Sequence, residues 1–295
     1  MKLANPSKYL VLLAVADSGS LTAAADRMGY TQSGISHIIA ELEEECGFPL
    51  VIRAKQGSRL TREGESLLPA VRNVLNAGER LAQTISELNG VRSGNVRVGM
   101  FSSAAVHWAP EILELFSRKH PNIKISIFDG LYQEIESKVL SGELDCGFFT
   151  KQTQKALDFI ELSRDELLAV VPLSHPFAEL DALPVKRIEE ADFIYPGEGS
   201  NYDIGRIFAE NGVSPHVCYS FSDDNAAVAM VERGMGVTIL PRLITDSVTA
   251  KVSILPLSPG FSRTIGIILP RTKHKSVSPA ALAFIDFVCG WVKGR

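Results

Sequence analysis

Apolar residues recur at helical spacing three times within the first sixty positions, each time between a capping residue and a stop. Asn5 caps the first stretch with Pro6 at its first position; Leu10, Leu13 and Ala14 continue it, and Ser18–Gly19 stops it. Ser20 caps an alanine-rich second helix over 21–28, broken by Gly29–Tyr30. Thr31 caps a third, in which Ile35, Ile38, Ile39 and Leu42 run toward Cys46 and Gly47 ends it. Residues 48–53 and 58–60 then read as two short strands around a turn at 54–57, a β wing.

Residues 61–89 predict one long helix. Thr61 is its N-cap, and Glu63 and Glu65 sit in the first turn, where the helix dipole favours acids. Leu67, Val71, Val74, Gly78, Leu81, Ile85 and Leu88 are spaced 4-3-4-3-4-3. That period of about 3.5 is the coiled-coil seam. The helix should be about 40 Å long at 1.5 Å per residue. A small N-terminal domain offers no partner for such a stripe, so the same helix of a second chain is expected to cover it. Pro69 removes one backbone bond and should kink the first turns.

Asn89–Gly90 and Ser93–Gly94 mark a hinge, after which the pattern changes. Strands at 96–100, 123–128 and 146–149 alternate with helices at 110–120 and 133–140. A second βαβαβ set follows, with strands at 193–195, 217–221 and 237–240 and helices at 202–211 and 225–233. Both sets predict parallel sheets with right-handed crossovers. Strands at 167–171 and 264–269 lie between the sets, which gives two Rossmann-like α/β lobes joined by two crossing strands. A final helix at 278–292 should return to the first lobe. The expected division is 1–60 for the helical head with its wing, 61–89 for the linker and dimerisation helix, 90–94 for the hinge and 95–295 for the two-lobed domain. Within that domain the first lobe takes about 95–166 and 269–295, and the second about 167–268.

Composition narrows the function. With 45% hydrophobic and 22% charged residues, the chain can build a core and is not of the disordered class. Thirty Lys and Arg against 34 Asp and Glu leave a net charge of −4, which excludes a general polyanion binder but not a local basic patch. No uninterrupted apolar run suits a membrane span and no leader peptide is evident, so a cytoplasmic chain without membrane contact is expected. Cys46, Cys146, Cys218 and Cys289 are far apart, with no C-x-x-C and no zinc spacing, so neither a disulfide frame nor a metal or cofactor is expected. The six histidines show no H-E-x-x-H and no serine sits in G-x-S-x-G, so no catalytic residues are expected and the chain is not read as an enzyme.

Residues 21–46 read as helix, tight turn, helix, with small Ala23–Ala24–Ala25 where two steeply crossed backbones approach. Thr31, Gln32, Ser33, Ser36 and His37 gather near the start of the third helix and, with Ser20 at the cap of the second, can reach base edges or phosphates of double-stranded promoter DNA. Ile35, Ile39 and Leu42 make its opposite face, turned to the core. Arg53, Lys55, Arg59 and Arg62 form a basic patch without an acid between 46 and 62, placed to grip phosphates.

These residues carry a resemblance. SGSLTAAA at 18–25, TQSGIS at 31–36, LEEE at 42–45, GFPL at 47–50, Arg53 and LTREG at 60–64 are similar to the N-terminal region of LysR-type transcriptional regulators. HP at 120–121, GELD at 142–145, SHP at 174–176 and RGMGVTILP at 233–241 extend the likeness over nearly the whole chain. Ile38, Ala40 and Glu41 depart from it by making the recognition helix less cationic than in many members. The resemblance implies a winged helix-turn-helix, a linker helix and an effector domain of the periplasmic-binding-protein type II. It also implies a homodimer assembling into tetramers, with RNA polymerase as a further partner. Ligands of open α/β sheets sit at strand carboxyl ends near helix N-termini. That places a small-molecule effector near Ser102, Ser103, Phe149, Thr150, Gly199, Ser200, Asn201, Tyr202, Ser222 and Asp223. Free amides and hydroxyls there favour an anion such as a carboxylate.

Overall fold

The computed structural model describes residues 5–54, 57–89, 93–152, 156–196, 201–221, 223–271 and 277–294. Three helices open it, α1 Pro6–Ser18, α2 Leu21–Met28 and α3 Gln32–Cys46. Asn5, Ser20 and Thr31 accept from the first-turn amides of Ser7, Ala23 and Gly34 at 3.1, 3.4 and 3.1 Å. Gly19, Gly29 and Gly47 each end a helix in the left-handed conformation. The helices bury Val11, Leu12, Val15, Ala24, Ala25, Ile35, Ile39 and Leu42 together.

The wing is a hairpin, β1 Val51–Ala54 and β2 Gly57–Leu60, with Arg53 opposite Ser58. It starts three residues later than the apolar pattern predicts. The Glu43 carboxylate accepts from the Leu50 and Val51 amides at 2.7 and 3.0 Å, so this stretch answers to the end of α3 before it can pair as a strand.

Helix α4, Arg62–Leu88, is capped by Thr61, whose hydroxyl accepts from Gly64 N at 2.9 Å. Pro69 lies inside it. At Gly64 a Cβ would stand 2.4 Å from the Leu50 carbonyl oxygen, so glycine lets α4 start hard against the hairpin. The predicted seam divides. Val71 is buried in the head's own core, with Leu67 packed against it, which corrects the expectation that the head offers the stripe no partner. Farther along, Val74, Leu81, Ile85 and Leu88 are 38, 63, 51 and 83% exposed.

The first lobe has β3 Gly94–Met100, α5 Ser102–His107, α6 Ala109–Lys119, β4 Ile123–Asp129, α7 Tyr132–Leu140 and β5 Cys146–Thr150. Strand β3 runs parallel to β4 and β5. The crossing strands are far longer than predicted: β6 Leu157–Pro172 and, after the second lobe, β11 Val252–Pro270. The second lobe adds β7 Leu183–Pro184, β8 Asp192–Tyr195, α8 Asn201–Asn211, β9 His216–Ser220, α9 Asp224–Glu232, β10 Thr238–Pro241 and α10 Arg242–Thr245.

Among the described residues the main sheet orders as β10-β6-β11-β5-β3-β4. It is mixed, because the joining strands run antiparallel to each other and to β5 and β10. A strand that returns from one lobe to the other must run against its partner. Charged residues in 157–166 hid this length, since paired backbone rather than apolar content extends these strands. Helix α11, Pro279–Lys293, returns to the first lobe and buries Phe284, Ile285 and Val288 beside Ile265, Ile267 and Ile268 of β11.

Polar contacts dock α4 on this lobe. Asn76 Nδ2 donates to the Gly142 carbonyl at 2.9 Å, and the Ala280 amide donates to Gln83 Oε1 at 3.2 Å. Arg97 grips Asp145 through two donors, at 2.9 and 3.2 Å, and also reaches Asn76 Oδ1 at 2.9 Å. Arg72 lies 3.0 Å from Glu143 of the lobe and 3.8 Å from Asp17 of the head. The linker helix thus touches both the head and the first lobe.

Candidate functional site

The N-terminal half of α3 presents Gln32, Ser33 and His37 to solvent, while Ile35 and Ile39 hold its other face in the core. Thr31 is engaged locally: its hydroxyl caps the helix and lies 3.1 Å from Ser33 Oγ. Ser20 likewise caps α2. The wing reaches this helix directly, for Arg53 donates to Ser36 Oγ at 2.6 Å. Arg59, opposite Ile52 in the hairpin, and Arg62, at the start of α4, are exposed, and Lys55 lies outside the described residues. Lys8 of α1 lies 2.7 Å from Glu41 and 2.8 Å from Glu45. Its hydrogen bond holds the Glu41 carboxyl below the usual carboxylate range, and His37 Nε2 sits 3.1 Å from the same group. The acidic departure on the recognition helix is therefore matched by a cation from α1.

Between the lobes, residues distant in sequence converge on Arg263 of β11. Its Nε donates to Asp165 of β6 at 2.9 Å, its second amino group to Ser103 Oγ at 3.0 Å, and its third donor to the Tyr132 hydroxyl at 3.3 Å. The guanidinium lies 5.2 Å from the Phe101 ring centre. Arg263 is 3% exposed and Asp165 6%. Burial works against the cation, yet Tyr132 and Asp165 more than offset it and hold its pKa above the ordinary arginine value. The other oxygen of Asp165 accepts from the Leu243 amide of α10 at 3.0 Å, which ties both lobes to one carboxylate. Burial pushes the Tyr132 hydroxyl pKa up, and the Thr150 side chain also hydrogen-bonds it.

Beside this cluster a cavity of ≈ 470 Å³ opens between Tyr132, Gln133, Phe149, Gln152 and Tyr202. Asp203, next to Tyr202 at the start of α8, is 3% exposed. Its Oδ1 is 3.8 Å from Arg206, and its buried Oδ2 has no hydrogen-bond partner among the described residues. Burial raises its carboxyl above the ordinary range against the pull of Arg263 and Arg206.

Residues 7–65 match the family described as bacterial regulatory helix-turn-helix protein, lysR family, and residues 89–291 match LysR substrate binding domain. The chain belongs to the LysR-type transcriptional regulators. As such it is a DNA-binding regulator with an effector-binding domain, in a family of regulators rather than enzymes. The LysR-type relatives include the probable regulator LrrA of Synechococcus elongatus, 29% identical over 96% of this chain and 95% of that one. MetR of Salmonella typhimurium is 30% identical over 91% and 86% of the two chains. A full-length OxyR variant from Pseudomonas aeruginosa shares the fold at a TM-score of 0.79, with 22% identity over 99% and 96% of the chains. CbnR solved with its target DNA has a TM-score of 0.58 at 20% identity, covering 98% and 100%.

Within this LysR-type fold, Ser103, Phe149 and Thr150 come together at the lobe junction, and Tyr202 faces the same cavity. Ser102 is exposed at the first position of α5. Asp223 serves α9 instead, accepting from the Asn225 amide at 2.9 Å. Gly199, Ser200, Ser222 and the Asn201 side chain lie outside the described residues. Sequence reasoning missed Arg263, Asp165, Tyr132 and Phe101. A lone arginine just before an apolar strand run was the only local signal for Arg263.

Asp203 generates a signed prediction. A carboxyl raised in the folded state contributes stability below its unfolded pKa and loses it as the pH rises through the folded value. Asparagine imitates the protonated form at every pH. Asp203→Asn is therefore expected to melt higher than the parent at neutral pH, with the gain shrinking as the pH falls into the carboxylate range. Thermal melts across that range check this; a difference that does not vary with pH counts against a buried, destabilised charge.

Proposed function

We propose that this regulator binds promoter DNA as a dimer whose two α3 helices enter successive major grooves, with half-sites about one helical turn or a multiple apart. Gln32, Ser33 and His37 read base edges, while Thr31, Ser36, Arg53, Lys55, Arg59 and Arg62 grip phosphates, with Ser20 at the rim. The observation that carries this reading is the exposed uncharged donor set at the start of α3, with Arg53 bound to Ser36 beside it. The proposed division is a head over 1–60, a linker over 61–89, a hinge over 90–94 and an effector domain over 95–295.

The dimer contact lies along the outer part of α4, where Val74, Leu81 and Leu88 repeat every seven residues with Ile85 between them. Tetramers form from such dimers, the chain works in the cytoplasm, and RNA polymerase is a partner at the promoter. A small-molecule effector sits between the lobes against Tyr132, Phe149, Thr150, Tyr202 and Asp203. It favours one lobe arrangement by its difference in affinity for the two. A hydrogen-bond donor on the effector suits Asp203 Oδ2, which lacks a partner among the described residues, while an anionic group must be met by amides and hydroxyls, because Arg263 is already paired with Asp165.

Selection of bound duplexes from a random pool supplies the operator. On it, Gln32→Ala should relax preference at one position by about 1–3 kcal/mol. Arg53→Ala should weaken all sequences alike and lower the salt slope by about one. Parent-like binding by both variants would place the reading face elsewhere. Leu81→Glu combined with Ile85→Glu should convert the dimer to a monomer in sedimentation; an unchanged mass would remove α4 from the interface.

A further inference from the structure

Outside the DNA face and the cleft, three residues meet on the surface of the second lobe. Asp192 opens β8, His216 opens β9, and the register pairs them directly. The pairing then jumps from Phe193 with Val217 to Ile194 with Tyr219, so Cys218 is the extra residue of a bulge. Bulges re-aim side chains, and this one turns the thiol toward its neighbours. His216 Nδ1 is 2.9 Å from Asp192 Oδ1 and 3.4 Å from Cys218 Sγ. One donor atom from each residue lies within 4.8 Å of the other two.

Cysteine, histidine and aspartate can also make a nucleophilic relay, but a relay uses both ring nitrogens, one toward the thiol and one toward the carboxylate. Here both neighbours meet the same nitrogen, Nδ1. Oxygen, nitrogen and sulfur gathered around one point form three corners of a tetrahedron instead. With metal–sulfur about 2.3 Å and metal–nitrogen about 2.0–2.1 Å, neighbouring donors of a tetrahedral zinc site stand roughly 3.3–3.6 Å apart. The nitrogen–sulfur spacing of 3.4 Å already fits, and the nitrogen–oxygen spacing of 2.9 Å needs to open by about half an ångström. Thiolate and imidazole together favour zinc over magnesium or calcium. Asp192 and His216 are exposed, so an ion has direct access and water can fill the fourth corner.

We propose that Asp192, His216 and Cys218 form a binding site for zinc or a similar thiophilic divalent cation. On binding, the Cys218 S–H bond breaks, its proton passes to solvent and the sulfur's electron pair forms the bond to the metal. The ion ties β8 to β9 and stabilises the second lobe, because it binds the folded chain in preference to the unfolded one.

The test uses the full chain, reduced and free of any affinity tag, titrated with cobalt(II) and then with zinc(II). The parent is expected to bind one equivalent of cobalt with a thiolate-to-cobalt charge-transfer band, to lose that band to zinc, and to melt higher with zinc. Cys218→Ser should lose the band, and His216→Ala and Asp192→Asn should each weaken binding by roughly tenfold or more. Serine and asparagine are close in size to the residues they replace on this surface, and melts without metal verify that each variant folds. No thiolate band in the parent, or a band that survives in Cys218→Ser, overturns the proposal, the second by moving the site to Cys46 or Cys289.

Discussion

A guanidinium shut away from water must find its charge and its donors matched inside the protein, because a buried ion left unmatched costs several kcal/mol. Arg263 meets that condition only where β6 and β11 cross between the lobes. Asp165 supplies the countercharge, and Ser103 and Tyr132 each accept from a further donor. Asp165 in turn holds the Leu243 amide of α10. The first turns of α5 and α7, both joining strands and the second lobe's α10 are therefore fixed around one cation. The cavity beside Tyr132 and Phe149, where we place the effector, lies against that frame, so its wall is set before any ligand arrives.

The same economy of polar contacts links the other parts. Helix α4 gives its first turns to the core of the head, through Val71 and Leu67, and its later turns to the first lobe, through Asn76 and Gln83. The apolar residues left over on its outer face are those free to meet a second chain. In the head, Lys8 answers the acids on α3, leaving the exposed first turn polar but uncharged. In the proposed DNA complex, affinity rests on the wing arginines and discrimination on Gln32 and its neighbours, the separation expected when phosphates position a protein and bases specify its site.

What could be read from the chain was what local chemistry decides. Asn5, Ser20, Thr31 and Thr61 cap their helices where they stand because a side-chain oxygen needs only the next turn's amides. The seven-residue repeat of α4 and the strand–helix alternation of both lobes are periodic for the same reason. The lobe junction was hidden because Arg263 and its partner Asp165 are 98 positions apart. Asp203 was hidden as well, because its burial depends on packing that no local pattern encodes. Asp192 and His216 are 24 positions apart and meet through strand register, with Cys218 turned by a bulge. The splitting of the α4 seam was equally unreadable, since a heptad pattern records which residues are apolar and not which neighbour covers them.

The claim that a single buried ion pair frames the lobe junction is tested most directly by a double-mutant cycle read through denaturant unfolding. Arg263→Gln and Asp165→Asn should each destabilise by about 3–5 kcal/mol, because each strands the other's charge. The double variant should lose less than their sum by about 0.5–3 kcal/mol, the coupling of the pair. Strictly additive losses, or single losses within the range of ordinary surface substitutions, would contradict it.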